Sequence, residues 1–173
     1  MDDEDPAPAT DAARSTLLAR LAELEIRAPI VHYPEHATVE EGRQRRGALP
    51  GVFTKNLLLK DKKGQLFLVA ADETNEIDLR SLHTRIGARG RLRFAPSEQM
   101  YAVLGVRPGT LTPLAVINDV DGLVTVVLDD TLVDAAQINF HPMVHTESIG
   151  LTPAQLSRFL EATAHPPIAA TVT

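Results

Sequence analysis

The sequence predicts an α+β (mixed α/β) fold, because hairpin signals and helix signals are scattered along it without a regular alternation. The turn sequences at residues 61–64 and at Asp121-Gly122 each separate two apolar runs of strand composition. Around them lie segments with helical apolar spacing and capping residues. A doubly wound sheet would alternate single strands with single helices, and this chain does not.

A single domain is expected from the length of 173 residues and the hydrophobic content of 44%. We divide the chain into a disordered acidic lead-in, a domain and a tail, with bounds 1–11, 12–165 and 166–173. No apolar run reaches the roughly 18 residues that span a bilayer, and the acidic start differs from a signal peptide. Together with the absence of cysteine, these features predict a cytoplasmic protein without a membrane partner.

Local signals place the individual elements. In the first helix, leucines recur at helical spacing after Thr10 or Asp11 as the N-cap. Thr38 and Glu41 predict a capping box, and Ser97 is the expected cap of a later helix. The expected helices cover residues 10–26, 38–49, 77–87, 97–105 and 152–163. The expected strands cover residues 27–33, 52–60, 65–71, part of 88–95, 114–118, 123–129 and 137–145.

Charge is unevenly distributed, although the net charge is −6. Residues 38–94 hold 12 Lys and Arg against 7 Asp and Glu, a net charge of +5 on an otherwise acidic chain. Local charge decides where a phosphate binds, so this segment is a candidate nucleic-acid surface. The alternative is a solvated surface in which opposite charges pair.

The common catalytic motifs are absent from the sequence. It contains no G-x-S-x-G, Walker A or H-E-x-x-H motif, and the lack of cysteine excludes thiol catalysis and Cys-ligated zinc. His141 and His145 have the spacing of a helical metal-binding pair, but Pro142 and the β-rich run before it favour a strand. We therefore expect neither a metal site nor a cofactor.

Four features remain as candidates for binding or chemistry, and each has a plain structural alternative. Lys55, within an apolar strand, is either a solvent-facing lysine or an anion ligand. The segment "GTLTP", Gly109 to Pro113, is either a turn or a loop that offers backbone amides to a ligand. His141 in "NFHP" is either structural or functional. The fourth feature is a basic set, either solvated or gripping a phosphate backbone: Lys60, Lys62, Lys63, Arg89, Arg91 and Arg93.

The order of these segments resembles the YbaK/ProX family of aminoacyl-tRNA editing domains, relatives of the insertion domain of bacterial prolyl-tRNA synthetases. The segments are "TVEEGR", "TKNLLLKDKKGQLFL", "IDLRSLH", "GRLRFAPSEQM", "LGVRPGTLTPLAVIND" and "NFHP", and the resemblance extends over about residues 17–160. The "KN-L-LKD" form is similar to the free-standing ProX branch, whereas Leu58 departs from an aromatic residue of many relatives. The resemblance implies a mixed, mostly antiparallel sheet flanked by helices.

The resemblance also implies a site for the end of an aminoacyl-tRNA, with the family lysine at Lys55 and the GxxxP element at Gly109 and Pro113. The expected catalytic residues are Lys55, Asn56, Gly109 and His141. The expected substrate-pocket residues are Thr38, Thr54, Pro113 and Asn118. The expected tRNA-binding residues are Lys60, Lys62, Arg89, Arg91 and Arg93. Since no protein nucleophile is evident, we expect direct attack by water, helped by the vicinal 2′-hydroxyl of the substrate.

The implied function is trans-editing, the hydrolysis of mischarged tRNA, with Ala-tRNA(Pro) cleaved and Pro-tRNA(Pro) spared. A synthetase pocket for proline rejects the smaller alanine by only about 1–3 kcal/mol, so a second pocket adds the missing discrimination. The alternatives are another mischarged amino acid (Cys, Ser or Thr) and a non-catalytic tRNA-binding or synthetase-associated module. Expected partners are the acceptor end of tRNA(Pro), with prolyl-tRNA synthetase or an elongation factor as further candidates. DNA is not expected, because a helix-turn-helix pattern is missing.

Overall fold

The computed structural model describes residues 7–34, 38–47 and 49–173. These residues form an eight-stranded sheet surrounded by helices. The strands are β1 (Ile30–His32), β2 (Val52–Lys60), β3 (Leu66–Asp72), β4 (Arg93–Phe94), β5 (Val124–Asp129), β6 (Ile138–Phe140), β7 (Glu147–Leu151) and β8 (Ile168–Ala170). The α-helices are α1 (Ala7–Glu23), α2 (Val39–Arg46), α3 (Leu82–Arg85), α4 (Ser97–Leu104), α5 (Asp130–Val133) and α6 (Pro153–Ala162), and Pro113–Asn118 is a 3₁₀ helix.

The sheet is mixed, with strand order β1-β7-β6-β2-β3-β5-β8 and β4 paired to β2 off this path. The β1/β7, β6/β7, β2/β3 and β2/β4 pairs are antiparallel, whereas β2/β6, β3/β5 and β5/β8 are parallel. This arrangement confirms the predicted α+β fold with a mixed sheet flanked by helices. None of the described helices is both long and apolar enough to cross a bilayer.

The central strand β2 changes partners along one of its edges. Its other edge pairs with β3 from Thr54 to Lys60. The first edge pairs with β6 only at the start of β2 and with β4 only at its last two residues. Among the described residues, no strand pairs with that edge between residues 54 and 58. Because an edge without a partner leaves backbone and side chains accessible, the sheet has room for a pocket there.

Both faces of β2 and β3 are covered, which explains their uninterrupted apolar runs. Side chains alternate between the two faces of a strand, so Leu58 and Leu68 enter a larger cluster with α1, α4 and α6. Leu59 and Phe67 enter a smaller cluster on the opposite face. A shift of one residue in the β2/β3 register would therefore exchange the two cores.

Several local predictions are confirmed. The capping box at α2 forms, with the Glu41 amide donating to Thr38 Oγ1 at 3.1 Å and the Thr38 amide donating to Glu41 Oε2 at 2.9 Å. The β2/β3 hairpin forms around residues 61–64. Gly105 ends α4 in the left-handed conformation that favours glycine, with φ of 69°.

Other element boundaries differ from the predicted ones. Helix α1 begins at Ala7, inside the predicted lead-in, of which residues 1–6 lie outside the described part of the chain. The helix predicted over 77–87 is reduced to α3. Ser97 is the first residue of α4 and not its cap, because the capping position belongs to Pro96, whose side chain offers no acceptor. The shift at Ser97 is an end effect of one residue that propensity alone does not resolve.

The predicted hairpin around Asp121-Gly122 is wrong. Residues 113–118 form the 3₁₀ helix instead of a strand, with the Leu114 amide donating to Thr112 Oγ1 at 3.3 Å. The following turn is held by the carboxylate of Asp119, which accepts the amides of Leu123 and Val124 at 3.0 and 2.8 Å. Strand β5 then pairs in parallel with β3.

The C-terminal residues belong to the fold. The predicted tail, 166–173, contains β8, which pairs with β5, and Val172 is fully buried in the smaller cluster. His165 anchors this segment because its two ring nitrogens contact Thr163 O at 2.6 Å and Asp119 Oδ2 at 2.9 Å. Strand β7 and helix α5 were also not expected from the sequence.

Candidate functional site

A cavity of about 320 Å³ opens at the edge of β2 that lacks a strand partner. Residues of α2, β2, β6 and β7 line it, together with the loop between β6 and β7. Four predicted site residues are brought together there: Thr38, Thr54, Asn56 and His141. Four others are not part of its lining: Lys55, Gly109, Pro113 and Asn118.

Asn56 lines this cavity and has a buried acceptor atom without a hydrogen-bond partner among the described residues. Its Nδ2 donates to the carbonyl oxygen of Leu111 at 3.1 Å and to Thr54 Oγ1 at 3.4 Å. The Leu111 carbonyl can only accept, which assigns the amide orientation of Asn56. Oδ1 of Asn56 is then buried without a hydrogen-bond partner among the described residues. Such an atom is costly to bury, so a hydrogen-bond donor brought by a ligand would stabilise it.

His141 is held by a backbone contact in one tautomer. Its Nδ1 lies 2.7 Å from the Glu147 carbonyl oxygen, so Nδ1 carries the proton and Nε2 has a free lone pair. Burial lowers the pKa of His141 below its ordinary value of 6.5, against the opposing effect of the hydrogen bond with Glu147. His141 is therefore neutral at pH 7 and able to accept a proton at Nε2.

A buried carboxylate stabilises the strand that orients His141. Glu147 on β7 accepts two hydrogen bonds from Arg14 of α1, at 2.6 and 2.9 Å. Its other contact is His32 Nδ1 of β1, at 2.9 Å. The side chain of Glu147 thus fixes β7 between α1 and β1 while its carbonyl oxygen orients His141. Neither Arg14 nor Glu147 was expected from the sequence, because the pair is 133 residues apart.

One wall of the cavity was also missed. The guanidinium of Arg46 lies 4.1 Å from the ring centre of Phe53 and pairs with Glu73. Thr38, Gly42 and Arg46 follow each other at intervals of four, which places them on one face of α2. That spacing was a usable signal in the sequence. Glu73, in contrast, lines the cavity and pairs with Arg46, a contact between residues 27 positions apart that no local pattern predicts.

The structure places Lys55 apart from the cavity lining. Thr54 and Asn56, on either side of it, do line the cavity. Side chains alternate along a strand, so Lys55 points to the face that carries Leu57 and Leu59. Its side chain is partly buried and makes no hydrogen bond or ion pair with another described residue. A catalytic role for Lys55 therefore stays a prediction.

The GxxxP loop reaches the cavity indirectly. Gly109 is exposed with φ of 99°, a conformation that favours glycine, and Pro113 begins the buried 3₁₀ helix. The contact to the site is the Leu111 carbonyl, which binds Asn56. Asn118 has a structural position, because its Nδ2 donates to the Leu104 carbonyl at 2.9 Å at the end of α4.

The predicted tRNA-binding residues lie at the far end of β2, in the turn that follows it, in the loop before β4 and in β4 itself. Asp61 links this turn to the loop before β4 by accepting the amides of Lys63, Gln65 and Arg89, at 2.8, 3.0 and 2.8 Å. The Arg89 amide is the main cause of the lowered pKa of Asp61. Within the described part of the chain, no group of three or more acidic or histidine side chains is arranged to hold a metal ion.

Comparison with known proteins identifies the family. The aminoacyl-tRNA editing domain matches residues 33–159, which include every residue of the cavity lining. The chain belongs to this family. The membership supports a role in tRNA editing and confirms the resemblance seen in the sequence.

Individual relatives cover nearly the whole chain. Prolyl-tRNA synthetase associated domain-containing protein 1 of Danio rerio is 41% identical over 157 residues, 90% of this chain and 85% of that protein. The prolyl-tRNA editing protein ProX of Acetoanaerobium sticklandii is 31% identical over 151 residues, 87% of this chain and 92% of that protein. A crystal structure of a candidate trans-editing enzyme for prolyl tRNA synthetase has a TM-score of 0.69 at 20% identity, covering 96% and 97% of the two chains. The similarity to that structure concerns the fold alone.

Proposed function

We propose that this editing domain hydrolyses the ester bond of mischarged tRNA in the cavity beside β2, with Ala-tRNA(Pro) as its substrate. The observation that carries the proposal is the buried Oδ1 of Asn56, which lacks a partner among the described residues. The α-amino group of an aminoacyl ester is a charged donor of the kind that this atom accepts. The prolyl-tRNA editing protein ProX, 31% identical, supports tRNA(Pro) as the carrier.

In the proposed reaction, water attacks the ester carbonyl carbon and its proton passes to Nε2 of His141. The bond between the carbonyl carbon and the ribose oxygen then breaks, and the ribose oxygen takes up a proton, which yields free amino acid and tRNA. The neutral tautomer of His141, fixed by the Glu147 carbonyl, is the form that can accept the proton. The vicinal 2′-hydroxyl of the ribose helps to orient the water, and Asn56 holds the amino group.

The cavity volume supports a small aminoacyl group. A volume of about 320 Å³ lies at the lower end of the range for ligand pockets. In this proposal the stacked Arg46 and Phe53 form the wall that limits the side chain of the amino acid. Lys55 lies outside the lining, on the face of β2 that carries Leu57 and Leu59, so in this proposal it does not contact the ester. The protein would work in the cytoplasm on free aminoacyl-tRNA, either alone or beside prolyl-tRNA synthetase.

The test is a deacylation assay of wild-type protein with tRNA(Pro) charged with alanine, proline, cysteine, serine or threonine. The expected result is rapid loss of alanine and slow loss of proline. Loss of cysteine, serine or threonine in place of alanine would reassign the amino acid. Unchanged half-lives of all five esters, together with retained tRNA binding, would show a non-catalytic binding module and overturn the proposal.

Gly42 offers a way to reduce the cavity without disturbing the fold. An added Cβ at Gly42 would meet no atom within 4 Å. Gly42→Leu is therefore expected to lower kcat/KM for Ala-tRNA(Pro) about tenfold or more by filling the space of the substrate. The free energy of unfolding should stay the same or rise by up to about 1 kcal/mol, because glycine is a poor helix former. Deacylation and urea unfolding measure the two effects.

Gln44→Leu is the matched control for this substitution, because Gln44 is exposed on the same helix and does not line the cavity. Its kcat/KM should remain at the wild-type value. Equal losses in both variants would contradict the placement of the amino acid beside Gly42.

A further inference from the structure

We infer that Lys60 and Arg93 form a phosphate-binding pair for the unpaired 3′ strand of the tRNA, next to the cavity. This inference rests on the proposed function and adds where the nucleic acid runs on the surface. The two residues are directly opposite each other, Lys60 at the end of β2 and Arg93 in β4. Opposite residues of an antiparallel pair point to the same face of the sheet.

Lys60 and Arg93 lie on the same face of β2 as the cavity, on the far side of the core residue Leu58. Along β2, Thr54, Asn56, Leu58 and Lys60 alternate with residues of the other face. Thr54 and Asn56 line the cavity, and Leu58 is buried between them and Lys60. At about 3.3 Å per residue, the Cα atoms of Asn56 and Lys60 are roughly 13 Å apart.

Among the described residues, the pair has no carboxylate partner. Like charges directly opposite each other destabilise a sheet. Neither Lys60 nor Arg93 takes part in any of the ion pairs found among the described residues. Arg14 and Arg46, in contrast, each pair with a glutamate. Asp61, the carboxylate next to Lys60, is buried and directed to three backbone amides. An anion from outside the chain would relieve the repulsion.

The spacing matches a short nucleic-acid strand. With about 3.4 Å per nucleotide in a stacked strand, 13 Å corresponds to at least about four nucleotides, because the strand must pass around the core that covers Leu58. If the terminal adenosine carries its ester into the cavity, the phosphates a few nucleotides upstream reach Lys60 and Arg93. The distance is too short to extend far into the acceptor duplex, so the unpaired strand is the partner that fits.

The experiment compares the double variant Lys60→Gln/Arg93→Gln with Arg27→Gln/Arg80→Gln. The control has the same charge change at two exposed arginines outside the cavity and outside β2 and β4. Binding of uncharged tRNA(Pro) is measured at several salt concentrations. In the Lys60/Arg93 variant, the negative slope of log K against log salt should be smaller in magnitude by about 1.4. Each lost contact to a single-strand phosphate accounts for about 0.7 of this change. An unchanged slope, or an equal drop in the control, would overturn the inference.

A second arm uses tRNA(Pro) without its unpaired 3′ nucleotides. The difference between wild type and the Lys60/Arg93 variant should disappear with this RNA, and a persisting difference would overturn the assignment to the 3′ strand. Hydrolysis of 3′-alanyl-adenosine, which has no phosphate, should be the same in both proteins. Because binding is measured with uncharged tRNA, absence of hydrolysis in wild type would refute the proposed function without changing the binding result.

Discussion

His141→Ala is expected to lower kcat for hydrolysis of Ala-tRNA(Pro) by a factor of about 10²–10⁴, the usual contribution of a general base. The physical reason is the loss of Nε2, the proton acceptor that the Glu147 carbonyl holds in place. Single-turnover deacylation measures the effect. His145→Ala is the matched control, because His145 also lines the cavity but is exposed. Equal rates for His141→Ala and wild type would remove His141 from the mechanism.

The pH dependence separates this role from a structural one. Burial lowers the pKa of His141, so the neutral, active form persists below pH 6.5 and is lost only as the pH falls through the lowered value. The acid limb of kcat/KM against pH should therefore have its midpoint below 6.5. In His141→Ala that limb should be absent. A midpoint above 6.5, or the same limb in the variant, would assign it to another group.

Asp119→Ala is expected to lower the free energy of unfolding by about 3–5 kcal/mol, the usual cost of breaking a buried pair. The carboxylate is almost fully buried, accepts the amides of Leu123 and Val124, and contacts His165 Nε2. The substitution leaves these three groups without a partner inside the protein. Chemical unfolding of the variant and of Asp121→Ala, an exposed residue of the same turn, measures the difference. A loss below about 1 kcal/mol would contradict this account.

Sequence signals predicted the fold where the information is local. The capping box of Thr38 and Glu41 and the β2/β3 hairpin each depend on a few neighbouring residues, and both form. The apolar run at 114–118 was misassigned, because a short apolar segment fits a buried helix as well as a strand. The 3₁₀ helix ends just before Asp119, which contacts His165, a residue 46 positions further along the chain. No local pattern contains that contact.

As with the fold, the sequence predicted only part of the candidate site. The resemblance to the editing family selected Asn56, Thr54, Thr38 and His141, and the fold brings them to one cavity. It could not select Arg14 or Glu147, because their roles arise from packing between α1 and β7. The placement of Lys55 depends on which face of β2 it occupies, and the covered strand is apolar on both faces. Its sequence therefore lacks the alternation that would have indicated the face.

The central claim is that the ester binds in the cavity on the Asn56 side of β2. Its most direct test is single-turnover hydrolysis of Ala-tRNA(Pro) by Asn56→Ala and Lys55→Ala, with thermal unfolding of both variants as a check on folding. The account predicts that Asn56→Ala loses a factor of about 10² or more in rate, as for other lost polar contacts in active sites. Lys55→Ala should keep a rate close to that of wild type, because Lys55 points to the opposite face of β2. A wild-type rate in Asn56→Ala with none in Lys55→Ala would place the reaction on the opposite face of β2 and contradict the account.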